Sequence, residues 1–395
     1  MPAKDNRIRI LAVGQLPVEA GGNYTTGMGK VMLELSGQSY PGADYATLAL
    51  NAADRKVSGN RHIGYVLPVG RLIAEVLLHP VRLVREIADY RRYLDYSPWR
   101  ALFYRLNIDR AIARTSATCV HLHSIDHVLP FSHANQAGTV SSVLTCHGIF
   151  GVGDSGRRRD MYVESMRRVD EVTGLTEEID RRFAQFGVDA DRRHIIPNGV
   201  DTDKYHYDPQ TRATVREELG ISDKRTVFLT VGSLQQRKGQ YDFMRLLKES
   251  GLDFEYWLLG DGPDRQKIRE WADANGIGDR IRMTGYTAGQ DLYRYYSAAD
   301  IYAHVSYAEG QALSEIEARA TGLRILVNSD VAHTLPAQEA GSPYCRVIEM
   351  QRGGIWNEEL LEWIRIPQTD RVTDGTLDWQ NIADMYHDIY KRIAL

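Results

Sequence analysis

One pattern constrains this chain more than any other. Short apolar runs rich in β-branched residues recur along its length, each followed by a stretch with helical spacing. In the first half the runs are Ile8–Val13, Ala46–Leu50, Cys119–His123, Val140–Thr145 and Val169–Thr173. In the second they are Thr226–Val231, Tyr256–Leu259, Arg280–Thr284, Ile301–Val305 and Arg324–Val327. Helical stretches lie between them, among them Gln240–Glu249, Asp264–Asn275, Asp291–Ala298 and Ala312–Ala320. Runs that are apolar throughout suit strands buried on both faces, as in parallel sheets covered by helices. Two such sets predict an α/β chain of two doubly wound parallel-sheet domains, with a site in the cleft between them. The Pro197-Asn198-Gly199 turn marks the boundary. The expected organisation is a domain over 1–200, a second over 201–376 and a last helix over 377–395 that crosses back to the first. In that last stretch Ile382, Met385, Tyr386, Ile389, Tyr390 and Ile393 recur at helical spacing.

Composition excludes several function classes. The length of 395 residues fits two domains, and 43% hydrophobic with 25% charged residues is the balance of a folded protein. A net charge of −4 argues against a dedicated nucleic-acid binder held by bulk charge. The three cysteines form no CxxC pair, which suits a reducing cytoplasm. Met1 to Ile10 is polar and charged and reads as no signal peptide, and no run of 18 apolar residues suggests a membrane span.

The charge is uneven, +4 over residues 1–200 and −8 over 201–395. Between Arg71 and Arg114 stand nine arginines against five acids. There Leu72, Val76, Leu83, Ile87 and Leu94 alternate with Arg82, Arg85, Arg91 and Arg92, as in an amphipathic helix. The basic face is either simply solvated or drawn to an anionic membrane surface or acceptor. A cytoplasmic protein, peripheral at most on the inner face of the membrane, is the expectation.

Four segments carry chemistry. Ser306 to Ala318 places Glu309 and Gly310 at a strand-to-helix junction, with Glu317 inside the helix eight residues on. Eight residues are about 2.2 helical turns, so the two carboxylates do not share a face. Between them the helix start offers the N–H groups of Ala312, Leu313 and Ser314, an arrangement suited to phosphate. Val231 to Gly239 ends a strand in a glycine turn followed by Arg237 and Lys238, cations fit to clamp a diphosphate. Leu259-Gly260-Asp261-Gly262-Pro263 is a third turn after a strand. The fourth, Thr25 to Lys30, holds Gly27 and Gly29 but matches neither a Walker A loop nor a GxGxxG fingerprint. The histidines His121, His123 and His127 lack a clean set of zinc ligands, and Asp201-Thr202-Asp203 falls in the linker, so no metal site is expected. His147 ends a strand before Gly148 and suits a cleft.

Together these segments resemble the GT-B retaining glycosyltransferases of family 4. The resemblance runs through Ile195–Asp201 (IPNGVD after Ile195), Val231–Gly239, Leu258–Pro263, Tyr295–Gly310 and the Glu309/Glu317 pair, and more loosely through Gly27, His123 and Thr145–Gly148. It implies two Rossmann-like domains facing across a cleft, the second binding a nucleotide sugar without metal or other cofactor. It implies Arg237 and Lys238 as the diphosphate clamp and Glu317 as the ribose carboxylate. Glu309 would stand against the donor sugar, Leu313 and Ser314 at phosphate, Gly285 and Tyr286 at the base, and His147 near the reacting sugar. Gly27, Gly29, Gly260 and Gly310 would line the donor. Ser233 stands where many members carry Arg, and Gln311-Ala312 replaces the usual aromatic-Gly. The implied activity is sugar transfer from a UDP- or GDP-sugar to a sugar or glycolipid acceptor, in polysaccharide, lipopolysaccharide or glycolipid synthesis. A sugar-nucleotide epimerase or a catalytically silent nucleotide-sugar-binding subunit would use the same cleft.

Overall fold

The apolar runs form two parallel sheets, seen in a computed structural model that describes residues 7–57, 61–149, 152–153, 155–287, 289–366, 371 and 376–394. The chain divides into one unit made of Met1–Asn198 with Trp379–Leu395 and a second made of Gly199–Asp378.

The first unit holds β1 (Ile8–Gly14), β2 (Ala43–Ala53), β3 (His62–Tyr65), β4 (Cys119–Leu122), β5 (Ser141–Cys146), β6 (Glu171–Gly174) and β7 (Arg193–Ile195). Their order across the sheet is β3-β2-β1-β4-β5-β6-β7, every pair parallel. The second unit holds β8 (Thr226–Val231), β9 (Phe254–Leu259), β10 (Ile281–Gly285), β11 (Ile301–His304), β12 (Arg324–Asn328) and β13 (Cys345–Ile348), in the order β10-β9-β8-β11-β12-β13. In each sheet the direction of winding reverses between the first and fourth strands. The crevice outside the carboxyl ends of those two strands is where doubly wound sheets hold ligands.

Alternation of side chains supplies two cores in the second unit, one per sheet face. Val227, Leu229, Trp257 and Leu259 pack on one face, and Phe228, Tyr256 and Leu258 on the other. Each such side chain contributes roughly 1.5–3 kcal/mol on burial. The strands β3, β7 and β13, which sequence reading did not place, are sheet-edge strands of three or four residues.

The stretch expected as one amphipathic helix is three. After α1 (Gly27–Gly37) come α2 (Val69–Leu78), α3 (Pro80–Tyr93) and α4 (Pro98–Thr115). Proline opens α3 and α4, where its missing N–H costs nothing, and Pro80 stands directly after the residue that caps α2. Two further corrections follow. Val76 faces solvent rather than the core, along with Ile73, Leu77 and Leu78. Arg105 is no surface cation: it is fully buried, bonded to Glu75 at 2.9 Å and beside Glu86 at 3.3 Å. Leu72, Leu83 and Ile87 do lean on the core, and Leu94 is buried in it.

The last helix, Trp379–Ile393, packs within the first unit. Its Tyr390 hydroxyl meets His121 Nδ1 at 2.6 Å, and its Tyr386 hydroxyl meets Thr145 Oγ1 at 3.1 Å. Gln380 exchanges two 3.0 Å bonds with the Ser39 backbone.

Candidate active site

In the second unit the loops after β8 and β11 meet, and glycine makes the meeting possible. Gly239 has φ +68°, and a Cβ there would lie 2.0 Å from the Val305 carbonyl oxygen. The turn that carries Arg237 and Lys238 therefore lies flat against the end of β11. The Tyr307 N–H donates to the Arg237 carbonyl at 2.8 Å and locks this contact. Gly260 plays the same part between neighbouring loops, since its Cβ would stand 2.1 Å from the Gly232 oxygen. Its own N–H is committed to the Gly285 carbonyl at 2.8 Å.

On this platform the charged side chains converge. Lys238 Nζ is ion-paired and hydrogen-bonded to Glu309 Oε1. The Arg237 guanidinium donates to the Ala308 carbonyl and lies 3.5 Å from the same Glu309 oxygen. Ser306 Oγ donates to that oxygen at 3.0 Å. The Glu309 side chain is only 11% exposed. Burial pushes its pKa up, but Lys238, with His304 and Arg237, more than offsets this and holds it below the usual carboxylate value. Glu309 is thus an ionised, oriented carboxylate.

The helix Leu313–Ala320 follows directly, with Ala312 at its N-cap and no side chain capping it. Its start is a positive dipole end one residue beyond the loop. Ser314 Oγ accepts from the Tyr302 hydroxyl at 2.7 Å, and Glu317 Oε2 from the Tyr296 hydroxyl at 2.7 Å. Both tyrosines are buried, Tyr302 in β11 and Tyr296 in the helix Gly289–Ala298, so Ser314 and Glu317 are held in place by rigid donors. Gly310 is buried in the loop. Gly285 ends β10 with φ +75°, and Tyr286 beside it is 70% exposed, with its ring open to solvent. At Ser233, where a cation was missing, the hydroxyl accepts a 2.8 Å bond from Gln235 Nε2 and the backbone carbonyl a 2.9 Å bond from Gln240 Nε2.

One residue escaped the sequence reading. His304 closes β11 and is buried, and neither ring nitrogen has a hydrogen-bond partner among the described residues. Burial lowers its pKa to about 4, against a raising influence from Glu309. The available signal was a single polar residue in the run Ile301–Val305.

Gly27, Gly29 and His147 belong to the first unit. Gly27 is the exposed first residue of α1, and a Cβ there would meet open space. The Gly29 N–H donates to the capping Thr26 Oγ1 at 3.0 Å and so does not stand open to a ligand. His147 follows β5, half-buried, with Nε2 3.2 Å from His123 Nδ1. His121 is spent on packing, bonded to Thr145 at 2.7 Å and to Tyr390. Among the described residues no group of three or more His, Cys, Asp or Glu is placed to hold a metal ion.

Two family models match the chain side by side. Glycosyltransferase Family 4 matches residues 61–204, and Glycosyl transferases group 1 matches 211–333. Among curated proteins, the GDP-mannose-dependent alpha-(1-6)-phosphatidylinositol monomannoside mannosyltransferase of Mycolicibacterium smegmatis is 30% identical over 251 residues. That match covers 62% of this chain and 59% of the relative. The alpha-monoglucosyldiacylglycerol synthase of Acholeplasma laidlawii is 26% identical over 193 residues, 46% of each chain. The match therefore spans about half the length of these relatives. Among solved structures, Anabaena HepE in complex with UDP and glucose superposes with a TM-score of 0.71 at 15% identity. It covers 98% of this chain and all (100%) of that one, a likeness of fold.

Proposed function

The chain belongs to the GT-B glycosyltransferases of family 4, and from that premise we propose that it moves a sugar from a nucleoside diphosphate sugar to an acceptor hydroxyl, with retention and without metal. The observation that carries this reading is the Arg237–Lys238–Glu309 cluster beside the uncapped start of the helix Leu313–Ala320. It lies at the carboxyl ends of β8 and β11, where the sheet order reverses.

The chemistry follows from the charges. As the bond from the anomeric carbon to the leaving phosphate oxygen breaks, its electron pair passes to the diphosphate and the sugar ring gains positive charge. Arg237, Lys238 and the helix start stabilise the diphosphate, being already oriented before reaction. Glu309, ionised, faces the positive ring and forms no covalent bond to it. The acceptor oxygen bonds to the anomeric carbon on the face the leaving group departs from, and its proton passes to a leaving phosphate oxygen. Glu317 holds ribose hydroxyls. Without donor, Lys238 is neutralised by Glu309. A bound diphosphate gives it a second anion to share, and frees the carboxylate toward the sugar.

The acceptor we propose is a glycolipid. Two relatives are named for acting on or making membrane lipids. The α2–α3 region also presents Leu67, Ile73, Leu77, Leu78, Val81 and Val84 to solvent beside exposed Arg71, Arg85, Arg91 and Arg92. Apolar side chains flanked by cations suit the surface of an anionic bilayer.

The test is binding followed by turnover. A nucleotide that binds only the native state must raise the melting temperature. UDP, GDP and ADP are compared with and without magnesium, and one nucleotide family should stabilise the protein equally well in both. Lys238→Ala should then lower turnover at least about a hundredfold, with the melting temperature of the free protein little changed. Stabilisation by none of the nucleotides, or near-normal turnover in the variant, overturns the assignment.

A further inference from the structure

The donors that hold Glu309 all converge on one of its oxygens. Lys238 Nζ, the Arg237 guanidinium and Ser306 Oγ meet Oε1, while Oε2 takes no hydrogen bond among the described residues. Two of the three are the cations of the diphosphate clamp. Once they turn to a phosphate group, the carboxylate keeps only the Ser306 hydroxyl. A largely buried carboxylate cannot replace two charged partners with bulk water. Its orientation and its charge then need another donor.

The end of β11 supplies one. Alternate side chains of a strand share a face, so Tyr302 and His304 stand together, opposite Ala303 and Ile301 in the other core. Tyr302 donates to Ser314 Oγ at 2.7 Å, and Ser306, two residues past His304, donates to Glu309 at 3.0 Å. The backbone around them is fixed. Asn328 Nδ2 donates to the Ser306 carbonyl at 3.1 Å, and the Tyr307 N–H to the Arg237 carbonyl at 2.8 Å. Between Tyr302 and Ser306, His304 has its ring 6.3 Å from that of Tyr302 and no hydrogen bond at either nitrogen among the described residues.

A neutral imidazole carries one N–H donor and one acceptor. Leaving both unpaired in the interior is costly, and an apolar side chain of similar bulk would avoid the cost. Burial keeps this ring neutral at pH 7. The titratable groups that face it are Glu309 after β11, Lys238 after β8 and His333 after β12, and of these Glu309 is the anion. Neither ring nitrogen reaches the surface, so His304 acts on Glu309 and not on a bound nucleotide.

On the reading of Arg237 and Lys238 as the diphosphate clamp, we propose that His304 is a positioning residue for Glu309: when a nucleoside diphosphate takes the two cations, the His304 N–H donates to the freed carboxylate and holds it in place. A hydrogen bond to the charged form also keeps Glu309 ionised. The free protein and the loaded protein thus use different donors for the same carboxylate.

Calorimetric titration of the full chain with UDP and GDP tests this. His304→Leu removes both ring nitrogens and keeps an apolar side chain. The free variant should melt at or above the wild-type temperature, because two unpaired buried groups are gone. Its affinity for the nucleotide should fall on the order of tenfold, since the loaded state loses a donor to a charged group. His304→Asn, which retains an N–H donor, should recover most of that loss. In a Glu309→Ala background, His304→Leu should change the affinity by less than about twofold, because the acceptor is already gone. A second measurement needs no apolar variant. In the wild type with isotopically labelled histidine, the ring-nitrogen signal of His304, identified by its loss in His304→Asn, should move on saturation with nucleotide. A merely structural histidine gives the reverse pattern, a lower melting temperature with unchanged affinity. That pattern, a loss that persists in the Glu309→Ala background, or a ring signal that does not move each overturns the role of His304 and leaves the clamp standing. A wild-type chain that binds neither nucleotide overturns both.

Discussion

At the scale of single residues, the site depends on contacts that spacing alone does not reveal. Arg237, Lys238 and Glu309 could be singled out in the sequence, because cations after a glycine turn and a carboxylate at a strand-to-helix junction are informative types. Their pairing across seventy-odd residues was not legible, because it requires Gly239 at φ +68° under the Val305 carbonyl. Gly239→Ala tests that dependence. The added methyl meets a backbone oxygen at 2.0 Å in a conformation that L side chains rarely adopt, so the turn must shift. The expected cost is about 2–4 kcal/mol, read as a lower denaturant midpoint. Because the shift carries Lys238 with it, nucleotide stabilisation should fall as well. A variant of unchanged stability and nucleotide affinity would mean that the loop has an alternative seat. His304 and the Thr26 cap were missed for a related reason: one polar residue in a strand, or one threonine before a helix, has many bland uses until its neighbours are known.

At the scale of elements, what could be read was what is buried on both faces. The interior strands β1, β4, β5, β8, β9, β11 and β12 are continuous apolar runs because helices cover both sides of them. Three of the four edge strands, β3, β7 and β13, with sequences HIGY, RHI and CRVI, are short and mix polar with apolar residues, and only the fourth, β10, could be placed from the sequence. Their pairing is decided by the sheet and not by their own composition. The basic region was legible as amphipathic helix, but it is three helices, two of them opened by Pro80 and Pro98, and α2 buries none of its residues. That outward face makes a prediction about membranes. With Leu77 at 73% and Leu78 at 70% exposure, the protein should cosediment with anionic vesicles and less so with neutral ones. The double variant Leu77→Glu, Leu78→Glu should cut binding by roughly tenfold or more, since it removes apolar burial and adds like charge to an anionic surface. Raising salt should weaken the wild-type interaction without abolishing it, because screening acts on the arginines and not on the leucines. Failure of the wild type to cosediment at low salt would assign the apolar row to another partner. No described helix is long and apolar enough to cross a membrane.

At the scale of the whole molecule, the two units differ in what acid does to them. His121, His127 and His304 are buried and uncharged, with pKa values lowered by burial to about 3, 4 and 4 from the ordinary 6.5. In the unfolded chain each takes up a proton near pH 6.5, and in the folded unit it does not until far lower. Over that interval the unfolded state binds more protons, so stability falls as pH falls, by about 1.4 kcal/mol per pH unit for each such residue. The loss begins near pH 6.5 and stops near the folded value. The burden is unequal. His62, His123, His133, His147 and His387, all lowered by burial, lie with His121 and His127 in the first unit, against His304 alone in the second. Two carboxyls act the other way: burial raises the pKa of Asp126 in the first unit and of Glu315 in the second, so each offsets part of the loss as pH falls toward the carboxylate range, while the lowered pKa of Glu309 keeps its contribution to pH values below that range. Between pH 7.5 and 5.5, then, the first unit should lose stability several times faster than the second. Hydrogen exchange resolved by peptide, corrected for the intrinsic pH dependence of exchange, reads each unit separately. Peptides of β1, β4 and β5 should lose protection over this range while those of β8, β9 and β11 change little. Equal losses in both units would show that the histidines of the first unit find protons, or water, without unfolding it.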